Sequence, residues 1–151
     1  KQAREENLSN ESISFPRPMI GSGDLNFSLS GLKTAVLYKV QELGEVSEEN
    51  KKIVAKEFEQ SVVDVLIKKT KKAVEENMAN TLIVGGGVIA NNYIRENLQS
   101  LAKELDIEIF LPTKEHSTDN AVMIGAAGYL KTFRENPEIF PDIKANGTLS
   151  L

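Results

Sequence analysis

Three glycines in a row, Gly85, Gly86 and Gly87, stand between the short apolar run Thr81-Leu-Ile-Val84 and a helix start, with Asn91 one turn further on. Residues without a Cβ let the backbone turn sharply and let a ligand lie directly against main-chain N–H groups. A helix beginning just beyond them adds unpaired N–H donors and the positive end of a dipole, which favours an anion such as a nucleotide phosphate. The same pattern also serves as a plain strand-to-helix connection, and spacing alone does not separate the two. Asn91 can donate and accept hydrogen bonds to a ribose or a phosphate, and can equally cap the helix.

A second candidate is Asp119, at the end of the segment Leu111-Pro-Thr-Lys-Glu-His-Ser-Thr-Asp-Asn120. In open α/β sheets ligands gather beyond the carboxyl ends of the strands, so a carboxylate there could hold a cation. The plainer reading is an acidic residue favouring a helix N-terminus, and one aspartate does not make a metal site. His116, the single histidine of the chain, invites assignment as a second ligand or a general base. Nothing else in the sequence supports that, and a solvated loop histidine is the preferred reading. Lys68, Lys69, Lys71 and Lys72 could form a basic patch for an RNA backbone, but a charge run on a long helix reads first as its wet face.

These residues need a scaffold, and composition limits it. At 151 residues the chain is about one domain with one core. A hydrophobic share of 40% with 26% charged residues is ordinary for a globular protein. The net charge of −4 argues against a domain that grips nucleic acid by overall positive charge. The absence of cysteine excludes disulfides, thiolate metal sites and a cysteine nucleophile. No apolar run approaches the length of a membrane span and the start Lys1-Gln-Ala-Arg is no signal sequence, so a soluble, cytoplasmic protein is expected. The lack of an initiator methionine suggests a processed chain or a piece of something longer.

The pattern predicts an irregular lead-in over residues 1–24, an α/β domain over 25–135 and an irregular tail over 136–151. Leu25-Asn-Phe-Ser-Leu29 alternates as a half-exposed strand does. Ser30 is expected to cap a helix from about Leu32 to Glu42, with Gly44 as its stop. Ser47 followed by Glu48 and Glu49 signals a long helix to about Asn77, with Val54, Phe58, Val62, Leu66 and Ile67 on its apolar face. A strand over 81–84 precedes the glycines, Ile94, Leu98, Leu101 and Leu105 mark the next helix, and Ile107 to Phe110 read as another strand. The final helix is expected to begin near Thr118 or Asp119, and Gly125-Ala-Ala-Gly128 within it permits close packing on a neighbour. Alternating strands and helices predict an α/β fold with parallel pairing.

Four segments in order also resemble a family. Phe27-Ser-Leu-Ser-Gly-Leu-Lys-Thr34 is similar to its FSFSGLKT stretch, residues 58–70 to its long helix with an AVVDVL-like centre, residues 85–95 to its GGGVxxNxxLR motif, and residues 117–128 to its CTDNxAMIAxAG motif. The family is the tRNA N6-adenosine threonylcarbamoyltransferases, once described as O-sialoglycoprotein endopeptidases or glycoproteases, and the resemblance covers about Phe15 to Phe133. It implies an actin-like ATPase fold (ribonuclease H-like) of two related α/β domains, of which this chain resembles most of the C-terminal one. It implies transfer of threonylcarbamoyl from threonylcarbamoyl-adenylate to N6 of the adenosine beside the anticodon in tRNAs reading codons that begin with A. By similarity Gly85, Gly86, Gly87 and Asn91 would contact the adenylate or an ATP-like nucleotide, and Asp119 would be one ligand of a divalent iron or zinc ion.

The partners implied are tRNA, a paralogous actin-like subunit and a small ATPase, with the missing N-terminal domain and possible self-association of this portion. Departures accompany the matches. The family's other metal ligands are two histidines of an HxxxH motif that this chain lacks, Ser117 stands where cysteine is usual, and His116 where an apolar residue is usual. A C-terminal portion inactive by itself is therefore expected. Two alternatives are a non-catalytic actin-like scaffold of the same assembly, which need not keep the Thr118-Asp119-Asn120 and glycine motifs together, and a metal-dependent glycoprotease, for which there is no HExxH and no second histidine.

Overall fold

The structure is a computed structural model, and it describes residues 13–134, with side chains as far as Lys131. Four helices and two short strands make up the described part. Helix α1 is Ser30–Leu43, α2 is Glu48–Asn77, α3 is Asn92–Glu104 and α4 is Ala121–Arg134. Strand β1 is Thr81–Ile83 and β2 is Glu108–Phe110. The strands pair in parallel, with Thr81 opposite Glu108, Leu82 opposite Ile109 and Ile83 opposite Phe110. Parallel neighbours need a crossover, supplied here by the segment through α3. The expected α/β class with parallel pairing is present, in a sheet of two strands among the described residues.

The long helix α2 is the spine. Ser47 caps it, its hydroxyl accepting from the Asn50 amide at 3.2 Å, and Glu48 and Glu49 occupy the first turn, where negative charge is favoured. It ends where Met78 turns into the left-handed region, letting the Ala79 amide reach back to the Val74 carbonyl. Its core face is broader than the expected stripe. Val54 and Val62 are buried, Val63, Val65 and Val74 join them, and Phe58 stays 38% exposed beside a shallow apolar groove shared with Val36 and Val40 of α1. Onto this spine pack Leu32 and Leu43 of α1, Ile94 and Leu98 of α3, Ile89 from the turn before it, and Phe15 from the lead-in.

Phe15 is fixed by polar contacts as well as by burial. Its amide donates to Glu57 at 3.0 Å, and the Arg17 guanidinium donates to the Phe15 carbonyl, to Glu57 and to Asp64 of α2. These carboxylates hold the Arg17 pKa above its ordinary value, Glu57 first and Asp64 second. The next segment departs from expectation. No strand forms over residues 25–29; Asp24 instead accepts from the Ser22 hydroxyl at 2.6 Å and from the Asn26 amide at 3.1 Å. Such side-chain bonds to local backbone offer a turn in place of a ladder. Ser30 is not the cap either: Leu29 occupies that position without a side-chain bond, and Ser30 is the first helical residue. Gly44 ends α1 at φ 68° as its sequence position implied.

The lysine run is not simply a wet face. Lys69 is buried, 5% exposed, and its ammonium donates to Ser22 Oγ at 2.7 Å, to the Asp24 carbonyl at 2.7 Å and to Asp24 Oδ1 at 3.3 Å. Lys72 reaches the Gly23 carbonyl, and Lys71 pairs with Glu104 of α3 at 2.5 Å. Lys68 alone of the four stays exposed without such a bond among the described residues. Lysine stems cover apolar surface while their heads find acceptors, and for Lys69 and Lys72 those acceptors belong to the loop before α1. Helix α4 begins at Ala121, later than expected, and every residue from Ala121 to Lys131 is exposed. The expected irregular tail around Pro137 and Pro141 lies outside the described residues. No helix among the described residues is long and apolar enough to cross a membrane.

Candidate nucleotide-facing edge

Because β1 and β2 run in the same direction, the segments that leave their carboxyl ends emerge at one edge of the sheet. Gly85-Gly-Gly87 follows β1, and the loop carrying Asp119 follows β2. That edge of a parallel sheet is where ligands are generally held. The strands place their middle residues, Leu82 and Ile109, against the core and leave Ile83 and Phe110 exposed.

Within the glycine run the three positions differ. Gly86 has φ 94° and ψ 164°, a region that only glycine enters without strain, so the bend itself depends on it. Gly85 and Gly87 have no positive φ, and a Cβ built on any of the three meets nothing within 4 Å. The chain's own packing therefore does not call for glycine at 85 or 87; what the missing side chains leave is open backbone. The Gly86 carbonyl accepts from Ile89, starting a short 3-10 turn over Gly87–Ala90, and the N–H groups of Gly86 and Gly87 take no acceptor among the described residues. Two free donors on a bare bend can take a ligand oxygen.

Asn91 does serve as the cap: its Oδ1 accepts from the Ile94 amide at 3.1 Å. Its Nδ2 donates to Glu59 of α2 at 2.7 Å. One N–H and one lone pair of the amide remain for a ligand, held in a fixed plane by the other two bonds. Glu59 was not legible as a partner, since it lies 32 residues away with no local signal. Arg95 carries no local signal of its role; its guanidinium donates to the Ile89 carbonyl at 3.1 Å and to the Pro112 carbonyl at 2.6 Å, bracing both loops.

Across the edge, residues 113–117 form a self-contained turn. His116 pairs through Nδ1 with Thr113 Oγ1 at 3.0 Å and is exposed, while the buried Ser117 hydroxyl donates to the Thr113 carbonyl at 2.8 Å. Asn120, not Asp119, caps α4, its Oδ1 accepting from the Met123 amide at 2.9 Å. Asp119 is exposed and takes no partner among the described residues, so its carboxylate is free for an external cation or donor. No three of His, Cys, Asp and Glu converge among the described residues, so a complete metal site does not fit on these residues by themselves.

Helices around a small parallel sheet, with a glycine bend and an exposed carboxylate on the segments that leave its carboxyl end, make the described part α/β in class. The profile of the tRNA N6-adenosine threonylcarbamoyltransferase family matches residues 1–126, and the chain belongs to that family. Proteins named tRNA N6-adenosine threonylcarbamoyltransferase from Thermosipho africanus, Methylobacillus flagellatus and Thermodesulfovibrio yellowstonii are 44%, 46% and 41% identical to it. The alignments cover 82%, 78% and 90% of the chain, and 37%, 35% and 42% of the respective relatives. The chain thus spans well under half the length of the relatives it matches.

Proposed function

We propose that this chain is the C-terminal, actin-like portion of a cytoplasmic transferase. That transferase moves threonylcarbamoyl from threonylcarbamoyl-adenylate to N6 of the adenosine beside the anticodon in tRNAs reading codons that begin with A. Family membership supports a role in tRNA modification. The observation that carries the site is the shared edge: the glycine bend and the Asp119 loop leave adjacent parallel strands in the same direction. The bare N–H groups of Gly86 and Gly87 receive adenylate oxygens, and Asn91, fixed by Ile94 and Glu59, orients the same ligand. Asp119 faces the ligand from the second loop as one ligand of a divalent iron or zinc ion, whose other ligands come from outside the described residues. A paralogous actin-like subunit, a small ATPase and tRNA complete the assembly.

A direct test is calorimetric titration of the chain with a non-hydrolysable threonylcarbamoyl-adenylate analogue. The wild type is expected to bind it, and Gly86→Ala is expected to weaken binding by about tenfold or more, since a bend that moves removes both donors. Equal binding by the two proteins, or none by the wild type, refutes the reading.

A further inference from the structure

Arg95 lies in the first turn of α3, where the Cα–Cβ bond leans toward the helix N-terminus, so a long side chain there lies over the turn that precedes the helix. Its guanidinium is a planar fork of donors that can satisfy two carbonyls from one rigid plane. Nη1 takes the Ile89 carbonyl, inside the 3-10 turn that follows the glycines, and Nη2 takes the Pro112 carbonyl, two residues beyond β2 and just before the turn leading to Asp119. Among the described residues no backbone hydrogen bond runs directly between residues 85–91 and residues 111–120. The polar link between the loops is this one side chain.

We infer that Arg95 is a positioning residue that sets the glycine turn and the Asp119 loop relative to each other, so that a ligand on the first is felt at the second. The inference rests on the proposed function only for the identity of that ligand. Loops after adjacent strands share an edge, and Ile89 and Leu111 anchor these two on the core through apolar contacts. A brace between their carbonyls adds a polar restraint on their spacing before any ligand arrives, and preorganised geometry is what makes two groups act on one substrate. Lysine keeps the charge and its donors but gathers them on one nitrogen without the rigid planar fork, so Arg95→Lys holds the two carbonyls less firmly.

The test uses the 151-residue chain and amide hydrogen exchange of wild type, Arg95→Lys and Arg95→Gln. In Arg95→Gln the hydrogen-bonded amides of Ile89, Asn91, His116 and Ser117 are expected to exchange about tenfold faster, with residues 54–74 of α2 unchanged and Arg95→Lys in between. Unchanged rates in both turns overturn the inference, and so does equal acceleration of α2, which would make Arg95 a general stability residue. Titration with AMP, followed by amide shifts, supplies the second arm. In the wild type residues 117–120 are expected to move together with residues 85–88; in Arg95→Gln only residues 85–88 move. If residues 117–120 still respond in Arg95→Gln, the coupling does not run through Arg95. If AMP leaves residues 85–88 unmoved in the wild type, the adenylate reading fails, while the exchange arm still decides the role of Arg95.

Discussion

The side-chain amide of Asn91 is held from both ends, its oxygen by the Ile94 amide at 3.1 Å and its nitrogen by Glu59 at 2.7 Å. Two roles are thereby stacked on one residue and can be separated by substitution. Asn91→Ser keeps an oxygen for the cap but loses the nitrogen that meets Glu59, whereas Asn91→Ala loses both. Asn91→Ala is expected to lower unfolding stability by about 1 kcal/mol and Asn91→Ser by only a few tenths. Adenylate binding is expected to fall by a similar factor, about tenfold, in both. Urea unfolding beside calorimetry reads the two effects; an Asn91→Ser protein that binds like wild type would leave Asn91 as a cap only.

The glycine run makes a sharper stability prediction. Only Gly86 has a positive φ, at 94°, while the space around all three glycines is open. Gly86→Ala is expected to cost about 1–3 kcal/mol through backbone strain. Gly85→Ala and Gly87→Ala are expected to stay within about 0.5 kcal/mol of wild type, because no clash or positive φ opposes them. Thermal unfolding of the three variants checks this, and equal losses in all three would contradict the geometry.

Arg17 ties the lead-in to α2 through Glu57 at 2.5 Å and Asp64 at 2.9 Å, with the three side chains 23%, 19% and 33% exposed. Its removal leaves the half-buried carboxylates of Glu57 and Asp64 without a cation, with the Phe15 amide and the Gln60 side chain as their remaining donors. Arg17→Ala is expected to destabilise by about 2 kcal/mol. Fluorescence or circular dichroism in urea measures it, and a change under about 0.5 kcal/mol would show that the pairing contributes no more than a surface ion pair.

Asp24 gives the pH prediction. The Ser22 hydroxyl, then the Asn26 side chain, hold its pKa down to about 2 from the ordinary 3.8. A depressed carboxyl stabilises the loop above the unfolded value and loses that contribution as pH falls through the folded one. The loop over residues 22–26 is therefore expected to remain ordered at pH 4 and to loosen between about 3.8 and 2. Carboxyl chemical shifts of Asp24 should titrate near the lower value, and a midpoint at the ordinary value would contradict its hydrogen bonds with Ser22 and Asn26. Ser22→Ala should move the midpoint upward.

Much of the frame was readable in the sequence because its signals are local. Ser47 with its two glutamates, Gly44 after α1 and the apolar periodicity of α3 each act within a few residues, and the helices form where they point. The misreadings share another cause. Residues 25–29 alternate like a strand, but Asp24 binds Ser22 and Asn26 more readily than the segment finds a partner strand. Lys69 looked solvated because nothing near it in sequence announces that Ser22 and Asp24, 47 and 45 residues away, fold over it. At the candidate site the glycine bend and Asp119 were visible as residue types. Glu59 and the bracing by Arg95 were not, since both are tertiary contacts whose partners lie 32 and 17 residues away.

The central claim is that the glycine bend and Asp119 belong to one threonylcarbamoyl-transferring site. Its most direct measurement uses a chimaera in which the matched residues replace the corresponding segment of the Thermosipho africanus relative, supplied with threonylcarbamoyl-adenylate, tRNA and partner subunits. Mass spectrometry of the tRNA nucleosides is expected to show N6-threonylcarbamoyladenosine with the chimaera and to lose it when the chimaera carries Asp119→Ala. A folded chimaera that leaves the tRNA unmodified, or an Asp119→Ala protein that modifies it at the full rate, would contradict the account.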